Sequence, residues 1–207
     1  MPIVFYQAPM SSASPVAVAL AELDVRHESV KVDLSAGDQK KPEFLKLNPN
    51  GKVPTMVVDG TPMFEALAIM LFLSEKYGVE KKLWPAANDP ARLEAMSWST
   101  WAYVTFGPVV HRHQFAASPR GPAELHNPAW AEHARKEAAS LFAILDARLA
   151  DKPYILGASY SMVDLIVGGL VGYASMTGLS LAESPHVRAW IERVQARPAF
   201  RTAMAAR

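Results

Sequence analysis

The residues whose types and spacing suit chemistry are Asn48-Pro49-Asn50-Gly51-Lys52-Val53-Pro54-Thr55 and, a short way on, Glu65. An Asn-Pro-Asn-Gly turn runs into Val53-Pro54, and the β-branched run Thr55-Met56-Val57-Val58 follows. Proline has no N–H, so Pro54 opens a strand and does not sit mid-ladder. That leaves the backbone N–H and C=O of Val53 free to bond something other than a neighbouring strand. Asp59-Gly60 closes a hairpin, Pro62-Met63-Phe64 returns, and Glu65 begins an apolar helical pattern. A free extended backbone near an acid at a helix start suits the grip of a small peptide.

The elements that must position these residues are legible on either side. Ile3 to Tyr6 reads as a buried strand, and Ser11-Ser12-Ala13-Ser14-Pro15 opens an apolar helix from Val16 to Leu23. His27 to Val32 alternates as a strand, and Glu43 to Leu47 is a short helix. With the hairpin and a helix from Glu65 to about Lys76, the order is β-α-β-α-β-β-α. A proline-bearing connector, Leu83 to Pro90, separates this from purely helical patterns over Ala91 to about Phe106, Ala129 to Leu149, Met162 to Ser175 and Pro185 to Ala196. The expected division is residues 1–78, a linker over 79–89, and an all-helical domain over 90–207. Ser161-Met162-Val163-Asp164 reads as a Ser-x-x-Asp box opening a buried helix, a folding device.

Composition narrows the function classes. The chain of 207 residues carries Lys+Arg 21 against Asp+Glu 20, so no basic footprint calls for nucleic acid or a membrane surface. It has no cysteine, which excludes disulfides, a protein thiolate nucleophile and thiolate metal sites. His111-Arg112-His113 has a two-residue spacing that would send its imidazoles to different faces of a helix; a solvated end or loop is expected there, and no metal. Met1 to Tyr6 lacks a basic leader segment and no apolar run reaches membrane-spanning length, so a cytoplasmic location is expected.

In order and spacing, Met10-Ser11-Ser12, Gly37 to Lys41, Asn48 to Pro54, Phe64-Glu65-Ala66-Leu67-Ala68-Ile69 and Ser161 to Asp164 resemble the cytosolic glutathione transferases over essentially the whole chain. The serine-type classes, phi and zeta, are nearest in style. The resemblance implies a thioredoxin-like first domain followed by an all-α bundle, glutathione as co-substrate without a metal, a small-molecule electrophile as second substrate, and a homodimer. It implies that Val53 pairs its backbone with the cysteinyl peptide by strand addition, and that Glu65 and Ala66 meet the γ-glutamyl group. Gln39, Lys40 and Lys52 match positions that take the glycine carboxylate or adjoining backbone.

A free thiol has a pKa of about 8.5 and is mostly protonated at neutral pH. A hydroxyl donating to sulfur at a helix N-terminus favours the thiolate. Ser11 matches the family's serine for that role, with Ser12 as the second candidate; equally, Ser11, Ser12 and Ser14 are suitable caps for the helix. The family's acidic motif reads Glu-Ser, and here it reads Glu65-Ala66, which deletes one hydroxyl donor to the glutathione carboxylate. For the electrophile, Met10 in the first loop is implied, with Trp101, Thr105 and Pro108, which regular helical spacing puts on one face. Core packing is the alternative for Trp98, Trp101, Tyr103 and Phe106. Three activities are open: conjugation to electrophiles or reduction of peroxides; glutathione-dependent isomerisation or dehalogenation; and ligand or partner binding without catalysis. The absence of cysteine weighs against thiol-transferase roles that use a protein thiolate.

Overall fold

A computed structural model describes residues 1–117 and 122–205. In chain order the strands are β1 (Ile3–Gln7), β2 (Glu28–Lys31), β3 (Thr55–Val58) and β4 (Thr61–Phe64). The helices are α1 (Ser14–Glu22), α2 (Pro42–Leu45), α3 (Ala66–Leu73), α4 (Ala91–Trp101), α5 (Gly107–Ala117), α6 (Pro128–Leu149), α7 (Met162–Met176), α8 (Pro185–Gln195) and α9 (Pro198–Ala205). The chain divides into two compact units, Pro85–Gln195 and Met1–Trp84 with the segment from Ala196 onward. The sequence-based division kept residues 90–207 together; here the C-terminal segment instead joins the first unit.

In the first unit the sheet order is β2-β1-β3-β4, with β1 parallel to β2 and antiparallel to β3, and β3 antiparallel to β4. This is the expected thioredoxin-like β-α-β-α-β-β-α arrangement. Phe5, Leu20, Met56, Ile69 and Leu73 are almost wholly buried, so α1 and α3 bury apolar faces in the same core as the sheet. Arg197, just ahead of α9, forms a two-point ion pair with Glu22 at the end of α1. No periodicity argument reaches a contact of that sequence separation.

The second unit is all helical. The helix expected to end near Phe106 continues through a π-helical turn, Ala102–Phe106, into α5. Pro108 explains the turn: it offers no N–H to the carbonyl four residues back, and its ring crowds that carbonyl. The wider turn absorbs the defect, with the Gly107 N–H bonding the Ala102 carbonyl. A Cβ at Gly107 would stand 3.2 Å from that carbonyl oxygen and 3.5 Å from Leu170, so glycine permits the close approach of α7. His111 to His113 therefore lie in a helix, not in a loop or solvated end: His111 is exposed, while His113 is buried.

Asp164 organises the start of α7. Its carboxylate is fully buried and accepts from the Ser161 N–H at 2.8 Å, the Ser161 hydroxyl at 2.9 Å, the Ile155 N–H at 2.8 Å and the Trp190 indole N–H at 2.9 Å. Burial pushes its pKa up, against the four hydrogen bonds that pull it down. The box was expected from its spacing; the Ile155 and Trp190 donors were not. Arg148 plays a comparable linking part. It grips Glu94 with both terminal nitrogens, donates to the Ile155 carbonyl at 2.7 Å and lies over the Trp98 ring.

Candidate functional site

Strand register brings the singled-out residues of the first unit to one end of the sheet. Tyr6 of β1 and Phe64 of β4 both pair with Thr55 of β3. The Ala8–Ser12 loop leaves β1, the Val53-Pro54 pair enters β3, and Glu65-Ala66 leaves β4, all beside that row. Segments far apart in sequence are neighbours because antiparallel pairing sets the end of one strand against the start of the next.

The Val53–Pro54 peptide bond is cis. The Val53 carbonyl, expected to be free, accepts the Ser12 hydroxyl at 2.9 Å. The Val53 N–H makes no hydrogen bond with any described residue. Ser11 is engaged locally: its hydroxyl donates to the Ala8 carbonyl at 2.7 Å and accepts from the Ala13 N–H at 3.1 Å. Of the two serines, Ser11 therefore closes the loop that leads into α1, whose N-cap is Ala13 without a side-chain cap bond, and Ser12 faces the Val53 backbone.

The loop carrying Lys52 and Val53 packs on the preceding segment. Gly51 has φ +58, and a Cβ there would lie 2.8 Å from the Gln39 carbonyl oxygen and 2.9 Å from the Lys40 ammonium. Only glycine tolerates both the left-handed backbone and that approach. Lys40 Nζ donates to the Asn50 carbonyl at 3.4 Å, so Gln39, Lys40, Asn50 and Gly51 form one cluster. Gln39 donates from its amide to the Leu34 carbonyl at 3.3 Å, and its side-chain oxygen is buried without a partner among the described residues. Lys52 is exposed.

Glu65 has φ 70 and ψ 119, a conformation that costs a non-glycine residue about 1–3 kcal/mol. It is exposed at the start of α3, and Ala66, the first helical residue, is buried. The backbone N–H groups of that first turn are the ones a helix leaves without intrahelical partners, and they favour an anion. Met10 in the β1–α1 loop is exposed, again at positive φ, 55.

The residues expected at the electrophile site in the second unit meet a helix that is not regular: a π turn, Ala102–Phe106, lies between Trp101 and Pro108. Seven residues apart, Trp101 and Pro108 would lie about 20° from each other on a regular helix, but the wide turn between them rotates Pro108 away. Trp101 instead stacks on Phe106, centroids 5.5 Å apart and planes 14° apart. In an α-helix residues five apart lie about 140° from each other, so the π turn makes this stack possible. Phe106 is fully buried and meets Phe142 edge-on at 5.3 Å, and Trp98 meets Trp101 at 5.3 Å. Trp101 belongs to an aromatic packing row, while Thr105 and Pro108 are exposed. Among the described residues no group of three or more His, Cys, Asp or Glu is arranged to hold a metal, and no helix is long and apolar enough to cross a membrane.

A thioredoxin-like sheet with a cis X-Pro entering β3 and a strained acid opening α3, followed by an all-helical unit, defines a glutathione-transferase-type protein. Residues 1–75 match the glutathione S-transferase N-terminal domain, and residues 128–193 match the glutathione S-transferase C-terminal domain. The chain belongs to the glutathione S-transferase family. It is 31% identical to the disulfide-bond oxidoreductase YfcG of Escherichia coli, over 95% of this chain and 92% of that protein. It is 30% identical to the glutathione S-transferase GstB of the same organism (92% and 91% covered) and 32% identical to glutathione S-transferase 3 of Zea mays (99% and 94%). Among solved structures, glutathione transferase F7 of Populus trichocarpa matches with TM-score 0.84 and 28% identity, covering 98% of both chains. A glutathione transferase of Burkholderia graminis, described with two glutathione molecules bound per subunit, matches with TM-score 0.84 and 28% identity over 99% of this chain and 88% of that one.

Proposed function

We propose that this protein binds glutathione at the sheet end formed by Val53, Glu65 and Ala66, with Gln39, Lys40 and Lys52 meeting the glycine end, and promotes attack of its thiolate on a small electrophile. The observation that carries the reading is the Val53 backbone beside Ser12. The Val53 N–H has no partner among the described residues, and the carbonyl holds only a hydroxyl that an incoming peptide N–H can displace or share. A cysteinyl peptide laid on Val53 has its sulfur near the α1 N-terminus, where a hydroxyl donor and the helix dipole both favour the anion. Both hydroxyls already donate, Ser11 to the Ala8 carbonyl and Ser12 to the Val53 carbonyl. Ser12 is the better donor to sulfur, because an incoming peptide N–H on Val53 would release its proton, whereas the Ser11 bond lies outside that exchange.

A second reading has its own support. YfcG is named a disulfide-bond oxidoreductase, and the Burkholderia protein holds two glutathiones per subunit. A chain without cysteine contributes no thiol to exchange, so two glutathiones would supply both. The first thiolate attacks a substrate disulfide, forming a mixed disulfide and releasing one thiolate, which is protonated. The second thiolate attacks the glutathione sulfur of that mixed disulfide, releasing the other substrate thiol and leaving oxidised glutathione. One S–S bond breaks, one forms, and two electrons pass to the substrate.

The test is a panel of electrophiles, organic peroxides and small disulfides, each with glutathione, the products resolved by mass spectrometry. Conjugates support transfer; oxidised glutathione with free substrate thiols supports the oxidoreductase; rearranged substrate with an unchanged glutathione pool would instead indicate isomerisation. A folded protein that binds no glutathione would overturn the proposal and leave a non-catalytic binding role. We further propose a cytoplasmic homodimer: α4 exposes Leu93 and Met96, and Val104 lies exposed in the turn beyond it. Sedimentation over a range of concentrations tests the assembly, and a monomer throughout would refute it.

A further inference from the structure

Asn48 is 2% exposed and every polar group of its side chain is used. Its amide donates to the Lys52 carbonyl at 2.7 Å and to the Thr55 hydroxyl at 3.1 Å, while its side-chain oxygen accepts the Asn50 N–H at 3.0 Å. Thr55 is wholly buried and donates in turn to the same Lys52 carbonyl, at 3.1 Å. Two side chains from opposite ends of the loop therefore hold one carbonyl oxygen. Nothing about the turn requires this, because Asn48-Pro49-Asn50-Gly51 already closes through the Gly51 N–H on the Asn48 carbonyl at 2.9 Å.

The consequence follows from amide geometry. The Lys52–Val53 peptide is trans, unlike its neighbour Val53–Pro54. In a planar trans amide the C=O and the N–H point in opposite directions. Holding the Lys52 oxygen against Asn48 and Thr55 turns the Val53 N–H to the other side of the peptide plane, where the described chain offers it no acceptor. We propose that Asn48 and Thr55 are positioning residues that fix the Lys52–Val53 peptide plane and so aim the Val53 N–H at the peptide backbone of bound glutathione. This rests on the glutathione reading above and adds what orients the donor. A donor fixed before binding loses no rotational freedom when the ligand arrives, which is where the affinity gain lies.

The test uses the full chain with Thr55→Val, Thr55→Ser and Asn48→Asp. Valine keeps the shape of threonine and removes the hydroxyl; serine keeps the hydroxyl; aspartate keeps the acceptor for Asn50 and removes both donors. S-methylglutathione, which has the backbone but no thiol, gives Kd by calorimetry, and glutathione gives KM, kcat and the pKa of the bound thiol. Thr55→Val and Asn48→Asp are expected to weaken S-methylglutathione binding about ten-fold or more, with kcat at saturating glutathione and the bound-thiol pKa unchanged, and Thr55→Ser to restore binding. If Asn48→Asp does not fold, the Thr55 pair decides alone. Thr55→Val with a lower Tm but wild-type Kd would overturn the inference and leave a structural role. Wild-type protein that binds no S-methylglutathione would instead mark the failure of the glutathione reading itself, and the inference would fall with it.

Discussion

The Ser12 hydroxyl donates to the Val53 carbonyl at 2.9 Å across a sequence separation of 41, joining the start of α1 to the cis-proline loop. Ser11, one residue earlier, closes a short loop on Ala8 and Ala13 instead. The two serines therefore predict different losses. Ser12→Ala is expected to cut the fraction of bound glutathione present as thiolate at pH 7, read from ultraviolet thiolate absorbance, while binding persists. Ser11→Ala is expected to cost about 1 kcal/mol of stability through the lost loop hydrogen bonds to Ala8 and Ala13 and to leave the thiolate signal in place. A Ser11→Ala protein that binds glutathione wholly as thiol would return the activating role to Ser11.

Ala66, the first residue of α3, stands where the resemblance to the family's Glu-Ser motif implies a serine. Its N–H remains available to a carboxylate, but the hydroxyl is gone. A hydrogen bond to a charged group is worth about 1.5–3 kcal/mol, or roughly ten-fold or more in affinity. Ala66→Ser should tighten glutathione binding by that order in a calorimetric titration. Unchanged or weaker binding would mean that the γ-glutamyl carboxylate lies elsewhere.

How much of this was legible before the structure depended on the range of the interaction. The hairpin at Asp59-Gly60, the Ser161–Asp164 box and the β-α-β-α-β-β-α order follow from turn chemistry and short-range periodicity, and the structure has all of them. The π turn before Pro108 has no signature of its own, because a proline in an otherwise helical pattern signals either an end or a kink. Regular helical spacing alone puts Trp101, Thr105 and Pro108 on one face, and a helix that ends near Phe106 leaves His111 to His113 in a solvated end or loop, where the structure has α5. In the sequence Asn48 is simply the first residue of an Asn-Pro-Asn-Gly turn. Its use of a buried amide to hold the Lys52 carbonyl depends on where Thr55 ends up in the sheet, and a linear pattern carries no trace of that. In the same way the serine run advertised a helix start, but not which hydroxyl reaches Val53.

Asp164 accepts four hydrogen bonds, from Ile155, Ser161 twice and Trp190. Truncating it leaves those donors buried, and each unsatisfied group costs about 1–3 kcal/mol unless water enters. Asp164→Ala should therefore lower stability by about 3 kcal/mol or more in a urea titration. A loss near 1 kcal/mol, the value of an ordinary cap, would show that water replaces the carboxylate.

His113 gives a pH dependence with a defined sign. It is 8% exposed, its Nδ1 has no partner among the described residues, and burial, with Arg135 nearby, lowers its pKa from 6.5. The native state therefore holds the neutral imidazole, whereas the unfolded chain takes up a proton once the pH drops below about 6.5. The unfolded state then binds more protons, so stability is lost as the pH falls from about 6.5 toward the lowered native value, and it is fully present above 6.5. Arg112 of α5 and Glu137 of α6, paired at 3.1 Å, also bear charge nearby, and the His133 imidazole lies 3.9 Å from the same Glu137 oxygen. Single-site replacement isolates the contribution of His113. Urea midpoints from pH 7.5 down to 5.5 should fall in the wild type and fall less steeply in His113→Leu, which keeps the packing volume and removes the titration. Parallel profiles in the two proteins would assign the acid sensitivity to other groups.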